Sequence, residues 1–99
     1  MEIVKNIDNG KLTLSLKGRL DTVTSSELDK ALQEAFPETN NLVLDLKDLE
    51  YVSSSGLRLF LIGYKTMSKN GGSFSLTNVG GVVMEVLEMT GLSELISIN

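Results

Sequence analysis

Short alternation opens the chain between Glu2 and Ile7 and again between Lys11 and Lys17, where Leu12, Leu14 and Leu16 are separated by Thr13 and Ser15. Successive strand side chains point to opposite faces, so each stretch predicts a strand with one apolar side. Asp8-Asn9-Gly10 lies between them. Asn-Gly readily takes the positive φ angles of a two-residue hairpin turn, and the two strands are therefore expected to pair antiparallel.

The period then lengthens. Leu28, Ala31, Leu32, Ala35 and Phe36 follow at i, i+3, i+4, i+7 and i+8, with Asp29, Lys30, Gln33 and Glu34 on the opposite side, which predicts an amphipathic helix ending at Pro37. Thr24-Ser25-Ser26-Glu27 has the spacing of a capping box, so Thr24 and Glu27 are expected to satisfy free N–H groups at its start. Asn41 to Leu46 holds Leu42, Val43 and Leu44 in unbroken succession, the pattern of a central strand buried on both faces. A second helix is expected from Ser55 to Asn70, with Leu57, Phe60, Leu61, Tyr64 and Met67 facing the core and Gly71-Gly72 as its stop.

Ser73 to Leu76 reads as a further strand. A third helix follows over Gly81 to Thr90, with Val83, Val86, Leu87 and Thr90 on one side and Gly91 after its C-terminus, and Leu95 to Ile98 adds a last short strand. Strands alternating with helices after an opening hairpin predict one α/β domain over residues 1–99. Its sheet should be mixed and mostly parallel, with the hairpin as an antiparallel edge and the helices packed against it.

Composition narrows the function more than the fold. The 99 residues are 41% hydrophobic and 22% charged, as in an ordinary globular domain. No apolar run approaches the roughly 20 residues of a membrane span, and Met1 to Gly10 lacks the basic-then-apolar order of a signal segment, so a cytoplasmic location without membrane contact is expected. Cysteine and histidine are absent, which removes the thiolate nucleophile, the commonest general base and the commonest metal ligand. Neither enzyme activity nor a metal or other cofactor is expected. A net charge of -4 argues against nucleic acid as a partner, because phosphate binding relies on clustered Lys and Arg. A protein or a small molecule remains. Short edge strands and the net charge suggest a monomer when free.

The candidate chemistry lies in Tyr51-Val52-Ser53-Ser54-Ser55-Gly56-Leu57-Arg58, three serines between a buried strand and a helix. A serine there is a favoured helix cap, and Gly56 would ease the strand-to-helix turn. A hydrolase nucleophile elbow needs flanking glycines and a histidine, and a phosphate-cradling loop needs Gly-x-x-x-x-Gly-Lys followed by Ser or Thr; the chain has neither. Leu59 and Ile62 fall off the expected core stripe, and with Arg58 they form a candidate partner surface, although a helix packed between neighbours is also apolar most of the way round. Gly63 on this face would allow a close backbone approach or relieve crowding in the core. Asp21 and Asp45 are candidates for positioning loops, by satisfying local backbone donors.

Leu42 through Tyr64 resembles the core of STAS-domain anti-sigma factor antagonists, in which an apolar strand ending in Asp-Leu leads through a short loop to an Asp/Ser-Ser-Ser/Thr/Ala-Gly-Leu junction opening a helix. The matching elements are Leu44-Asp45-Leu46, Tyr51-Val52 and Ser53-Ser54-Ser55-Gly56-Leu57. Gly18-Arg19-Leu20-Asp21 is similar to the family's Gly-x-Leu-Asp element, and Leu87 to Leu92 to its Leu-x-x-Thr-Gly-Leu. The resemblance implies a STAS fold and a switch that binds an anti-sigma factor serine kinase when unphosphorylated, freeing a sigma factor. It implies phosphorylation at Ser54, with Ser55 as the alternative, and reversal by a serine phosphatase. Ser53, Ser54, Ser55, Gly56, Arg58, Leu59 and Ile62 would then meet the partner. Many members carry aspartate where this chain has Ser53. Two other functions compete: the same fold in a sensory scaffold or lipid-transport complex, and a small-molecule or nucleotide site at the strand ends holding Asp21, Asp45 and Ser54.

Overall fold

The computed structural model describes all residues from Met1 to Asn99. Strand β1 (Glu2–Asp8) turns back into β2 (Lys11–Leu20), and helix α1 (Ser25–Ala35) leads to β3 (Asn41–Val52). Then follow α2 (Ser54–Lys69), β4 (Ser73–Thr77), α3 (Gly81–Thr90), the short α4 (Leu92–Leu95) and β5 (Ser97–Ile98). The five strands lie side by side in sequence order. Only β1 and β2 are antiparallel; each later strand runs parallel to its neighbour. The hairpin turn is the expected one, with Asn9 at φ 51° and Gly10 at φ 81°.

One face of the sheet builds the core. Leu12, Leu14 and Leu16 of β2, Leu42, Leu44 and Leu46 of β3, and Phe74 and Leu76 of β4 pack with Leu28 and Leu32 of α1, Phe60 and Met67 of α2, and Val83 and Leu87 of α3. Alternation sends Thr13, Asn41, Val43, Asp45, Ser75 and Thr77 to the other face, where they line one shallow depression. The central position of β3 is as expected, and so is the burial of Leu42, Val43 and Leu44, but it arises differently on the two faces. Helices cover only one side, and Val43 is 8% exposed because it sits between Thr13 and Ser75 in the ladder, outside the main core.

Several boundaries differ from the sequence expectation. β3 continues past Leu46 to Val52, and its added length pairs with β2 alone through two register shifts. α1 ends at Ala35, and Pro37 sits inside a 3-10 turn over Phe36–Glu38 that leaves Phe36 only half-buried. The C-terminal strand is reduced to Ser97–Ile98, because Gly91 at φ 81° ends α3 and lets α4 form over Leu92–Leu95. No helix is long and apolar enough to cross a membrane.

The face that α2 turns to the sheet also differs. Gly56, Leu59, Phe60, Gly63 and Met67 are buried, while Leu57, Leu61 and Tyr64 flank them half-buried. Sequence reading weights large apolar side chains, yet the two glycines mark the contact line. A Cβ on Gly63 would stand 2.5 Å from Phe74 Cε1, and one on Gly56 would stand 2.7 Å from Leu20 Cδ2 and 2.8 Å from Val52 Cγ2. Glycine brings the helix this close to β4 and to the ends of β2 and β3.

Candidate functional site

The serine run is fixed by the end of β3. Ser53 N–H donates to Leu20 C=O at 2.8 Å, closing the last rung between the parallel strands. Ser53 keeps extended backbone (φ -90°, ψ 173°), and its Oγ accepts from Gly56 N–H at 3.3 Å. It is therefore the N-cap of α2, and Ser54 is the first helical residue, at the early edge of the expected start. The Ser54 hydroxyl is exposed and takes no part in the capping. Cap and candidate acceptor are two different serines.

The first turn of α2 holds no carboxylate, so nothing offsets the positive end of the helix dipole there. The N–H groups of Ser54 and Ser55 open the helix and have no acceptor within it. Ser55 is half-buried and turned toward α1. There a groove of ≈ 320 Å³ is lined by Ser25, Ser26 and Asp29 of α1 and by Ser55, Arg58, Leu59 and Ile62 of α2.

Two of the candidate partner residues need correction. Leu59 does not lie off the core stripe: it is 7% exposed, belongs to the main core and contributes only an edge to the groove. Gly56 is buried against Leu20 and Val52, which makes it a packing residue. Ile62 is half-buried and Arg58 exposed, both on the groove.

The expected capping box at α1 is replaced by a different device. Asp21 Oδ1 accepts from Val23 N–H at 3.0 Å and Thr24 N–H at 2.9 Å, so it takes the Thr24 donor that Glu27 was expected to satisfy, while Glu27 N–H donates to Thr24 C=O at 2.9 Å in place of the Thr24 hydroxyl. Thr24 is in helical conformation and makes no capping bond; its Oγ1 accepts from Asp21 N–H at 2.9 Å and lies 2.7 Å from Arg19 C=O. Ser25 Oγ donates to Asp21 C=O at 2.6 Å. The Thr24 N–H and hydroxyl, then Val23 N–H and the Arg19 charge, hold the Asp21 carboxyl below its ordinary pKa against a smaller opposing effect of desolvation. Asp21 thus locks the β2–α1 turn, and the Ser53–Leu20 bond places that turn beside Ser54.

Asp45 works elsewhere. Its Oδ1 accepts from Lys47 N–H and Asn78 Nδ2, both at 3.1 Å, tying β3 to the corner that follows β4. Val52 lies seven positions further along the strand, roughly 23 Å of extended chain. The depression it lines shares no residue with the groove at Ser55. Asp21, Asp45 and Ser54 are not gathered into one cavity, and the strand-end small-molecule reading loses its pocket.

Sequence reading missed the α1 side of this surface. Val23 is 79% exposed on the Asp21 turn, and Ser25, Ser26 and Asp29 border the groove. Across the strand ends, Arg19 Cζ stacks 4.2 Å from the Tyr51 ring centroid, covering the outer side of the junction. The sequence signals at this turn were Asp21, in Gly18-Arg19-Leu20-Asp21, and the cap pattern from Thr24 to Glu27, and neither pointed to Val23.

Comparison with known proteins agrees with this geometry. A family model described as the STAS domain matches residues 2–99. The anti-sigma F factor antagonist of Paenibacillus polymyxa is 32% identical over 102 residues, covering 99% of this chain and 86% of that protein. Among solved structures, an anti-sigma factor antagonist from Mycobacterium paratuberculosis superposes with a TM-score of 0.90 at 24% identity, over 98% of this chain and 83% of that one. The Bacillus cell fate determinant SpoIIAA in its phosphorylated form gives 0.78 at 17% identity, over 99% and 91%.

Proposed function

The chain belongs to the STAS domain family, and on that premise we propose that it is an anti-sigma factor antagonist whose switch is phosphorylation of Ser54. Unphosphorylated, it binds an anti-sigma factor serine kinase in the cytoplasm and so frees a sigma factor. Phosphorylated, it lets the kinase go until a serine phosphatase restores it. It is the kinase's substrate and ligand, with no catalysis of its own.

The observation that carries this reading is the division of labour at the start of α2, where Ser53 caps the helix and leaves the Ser54 hydroxyl exposed on the first helical residue. A phosphoryl group there adds about -1.5 to -2 charges and three acceptor oxygens. Beside the free N–H groups and the positive end of the helix dipole, that charge is favourable to the fold. A partner packed against the same helix start meets it as lost complementarity and desolvation cost. Binding changes while the fold does not. A phosphorylated relative with the same fold supports this separation. Ser53 in place of the family's frequent aspartate is, on this geometry, one good cap exchanged for another.

The test is incubation of the purified chain with each anti-sigma factor kinase of its host and ATP, followed by mass spectrometry. One phosphoryl group on Ser54, lost in Ser54→Ala, is the expected result. No modification, or modification confined to Ser55 or another residue, would overturn the assignment.

A further inference from the structure

The β2–α1 turn carries a side chain that the fold does not use. Val23 is 79% exposed, and its N–H is already held by Asp21 Oδ1 at 3.0 Å. The turn owes its shape to Asp21 and Thr24, so a small polar residue would serve at position 23 equally well. Isolated exposed apolar residues are common. The place of this one is what matters. Leu20 C=O accepts from Ser53 N–H at 2.8 Å, and the three residues from Leu20 to Val23 span at most about 10 Å. A standard protein partner covers about 800 Å² per side, a disc of roughly 16 Å radius. With the Leu20–Ser53 bond and the step to Ser54 added, Val23 lies within about 20 Å of Ser54, so the rim of a partner centred there falls on or beside this turn. The groove makes the surface continuous, since Ser26 and Asp29 of α1 face Ser55 and Arg58 of α2 across it.

We propose that the kinase acting on Ser54 takes a second hold on the β2–α1 turn, with Val23 as its apolar anchor and the α1–α2 groove joining the two contacts. This rests on Ser54 being the switch residue. The occupant is the kinase because a kinase that transfers phosphate to Ser54 must bring its own surface over this edge of the domain. The Asp21 bonds pre-form the turn, so Val23 is presented without ordering cost at the moment of binding. The hold is independent of the phosphate, which gives the kinase affinity and register that the Ser54 hydroxyl alone cannot supply.

The experiment measures calorimetric affinity of the nucleotide-loaded kinase that modifies Ser54 in the assay above, for the parent, Val23→Ser, Val23→Thr and Ile7→Thr. Ile7 is 53% exposed but pairs with Leu12, at the far end of β2, and serves as the control. Val23→Ser should weaken binding roughly ten-fold, as expected for a valine buried on docking, with Val23→Thr between it and the parent. Melting temperatures should stay within about a degree, and Ile7→Thr should bind like the parent. Equal affinity of Val23→Ser and parent, with Ser54 still phosphorylated in both, would overturn the second hold and leave the switch standing. An equal loss in Ile7→Thr would overturn it too, by showing a general rather than local effect. Failure of every host kinase to modify the parent would overturn both readings.

Discussion

Alanine at Ser53 and alanine at Ser54 should have opposite consequences, although the residues are adjacent and chemically identical. Ser53→Ala removes the oxygen that accepts from Gly56 N–H and leaves that donor without its cap. Cap serines are worth about 0.5 to 2 kcal/mol, and the 3.3 Å length of this bond places the loss toward the lower end, about 0.5 to 1 kcal/mol. For a domain of this size, that lowers Tm by roughly 2 to 8 °C. Ser54→Ala removes no capping bond from an exposed helical position and should fall within about 0.5 kcal/mol of the parent. Kinase assays should reverse the order: Ser53→Ala still accepts phosphate, whereas Ser54→Ala accepts none and stays bound. Thermal melts of both variants beside phosphorylation time courses measure all four quantities. A larger drop in Tm for Ser54→Ala than for Ser53→Ala would refute the assignment of cap and acceptor.

Ser53→Asp should match or exceed the parent in Tm, since aspartate caps as well as serine and adds negative charge at the helix start; a destabilised variant in thermal melts would contradict the capping geometry. Gly63→Ala should destabilise by about 1 to 3 kcal/mol despite alanine's better helix propensity, because the new methyl meets the Phe74 ring, and urea titration reads the change. Leu32→Ala should cost about 2 to 5 kcal/mol, and Phe36→Ala less than the usual aromatic loss because Phe36 is only half-buried; equal destabilisation by the two would show that the turn after α1 packs more tightly than described. Asp21 is held below its ordinary pKa of 3.8, so its contribution is present above that pH and is lost as pH falls through the lowered folded value; the Tm gap between parent and Asp21→Ala should therefore narrow in acid, and a gap constant from pH 7 to 2 would refute the carboxylate's role.

The legible parts of this fold were those in which side-chain periodicity reports burial directly. Leu12, Leu14 and Leu16 and the Asn9-Gly10 turn define the hairpin, and Leu28, Leu32 and Ala35 define the inner face of α1. α2 misled for a specific reason. Its closest contacts are made where there is no side chain, at Gly56 and Gly63, so the stripe of Leu57, Phe60, Leu61, Tyr64 and Met67 was right at Phe60 and Met67 but leaned toward Leu57, Leu61 and Tyr64 and set Leu59 outside it. The length of β3 was hidden because Lys47, Asp48 and Glu50 look like loop; Asp48 pairs with Lys17 of β2, while Lys47 and Glu50 fall at the two register shifts. Local chemistry misled again at α1, where Thr24 and Glu27 matched a cap pattern that Asp21, three residues before Thr24, supplies instead.

The same competition explains why the capping residue in a run of three serines was ambiguous as sequence and is not as structure. All three satisfy the statistics of a helix start, so spacing alone cannot divide them between structural and chemical roles. The structural role is assigned by the Ser53–Leu20 bond, which holds residue 53 in extended backbone at the end of β3 and therefore makes it the cap. Residue 54 is then left exposed at the helix start, and residue 55 turns into the groove beside α1. A switch residue at this place benefits from having nothing to stabilise: a phosphate added to a cap would displace the bond to Gly56, whereas one added to Ser54 displaces nothing in the chain. The fold can then be identical in both states, and the change in charge is felt almost wholly by whatever binds.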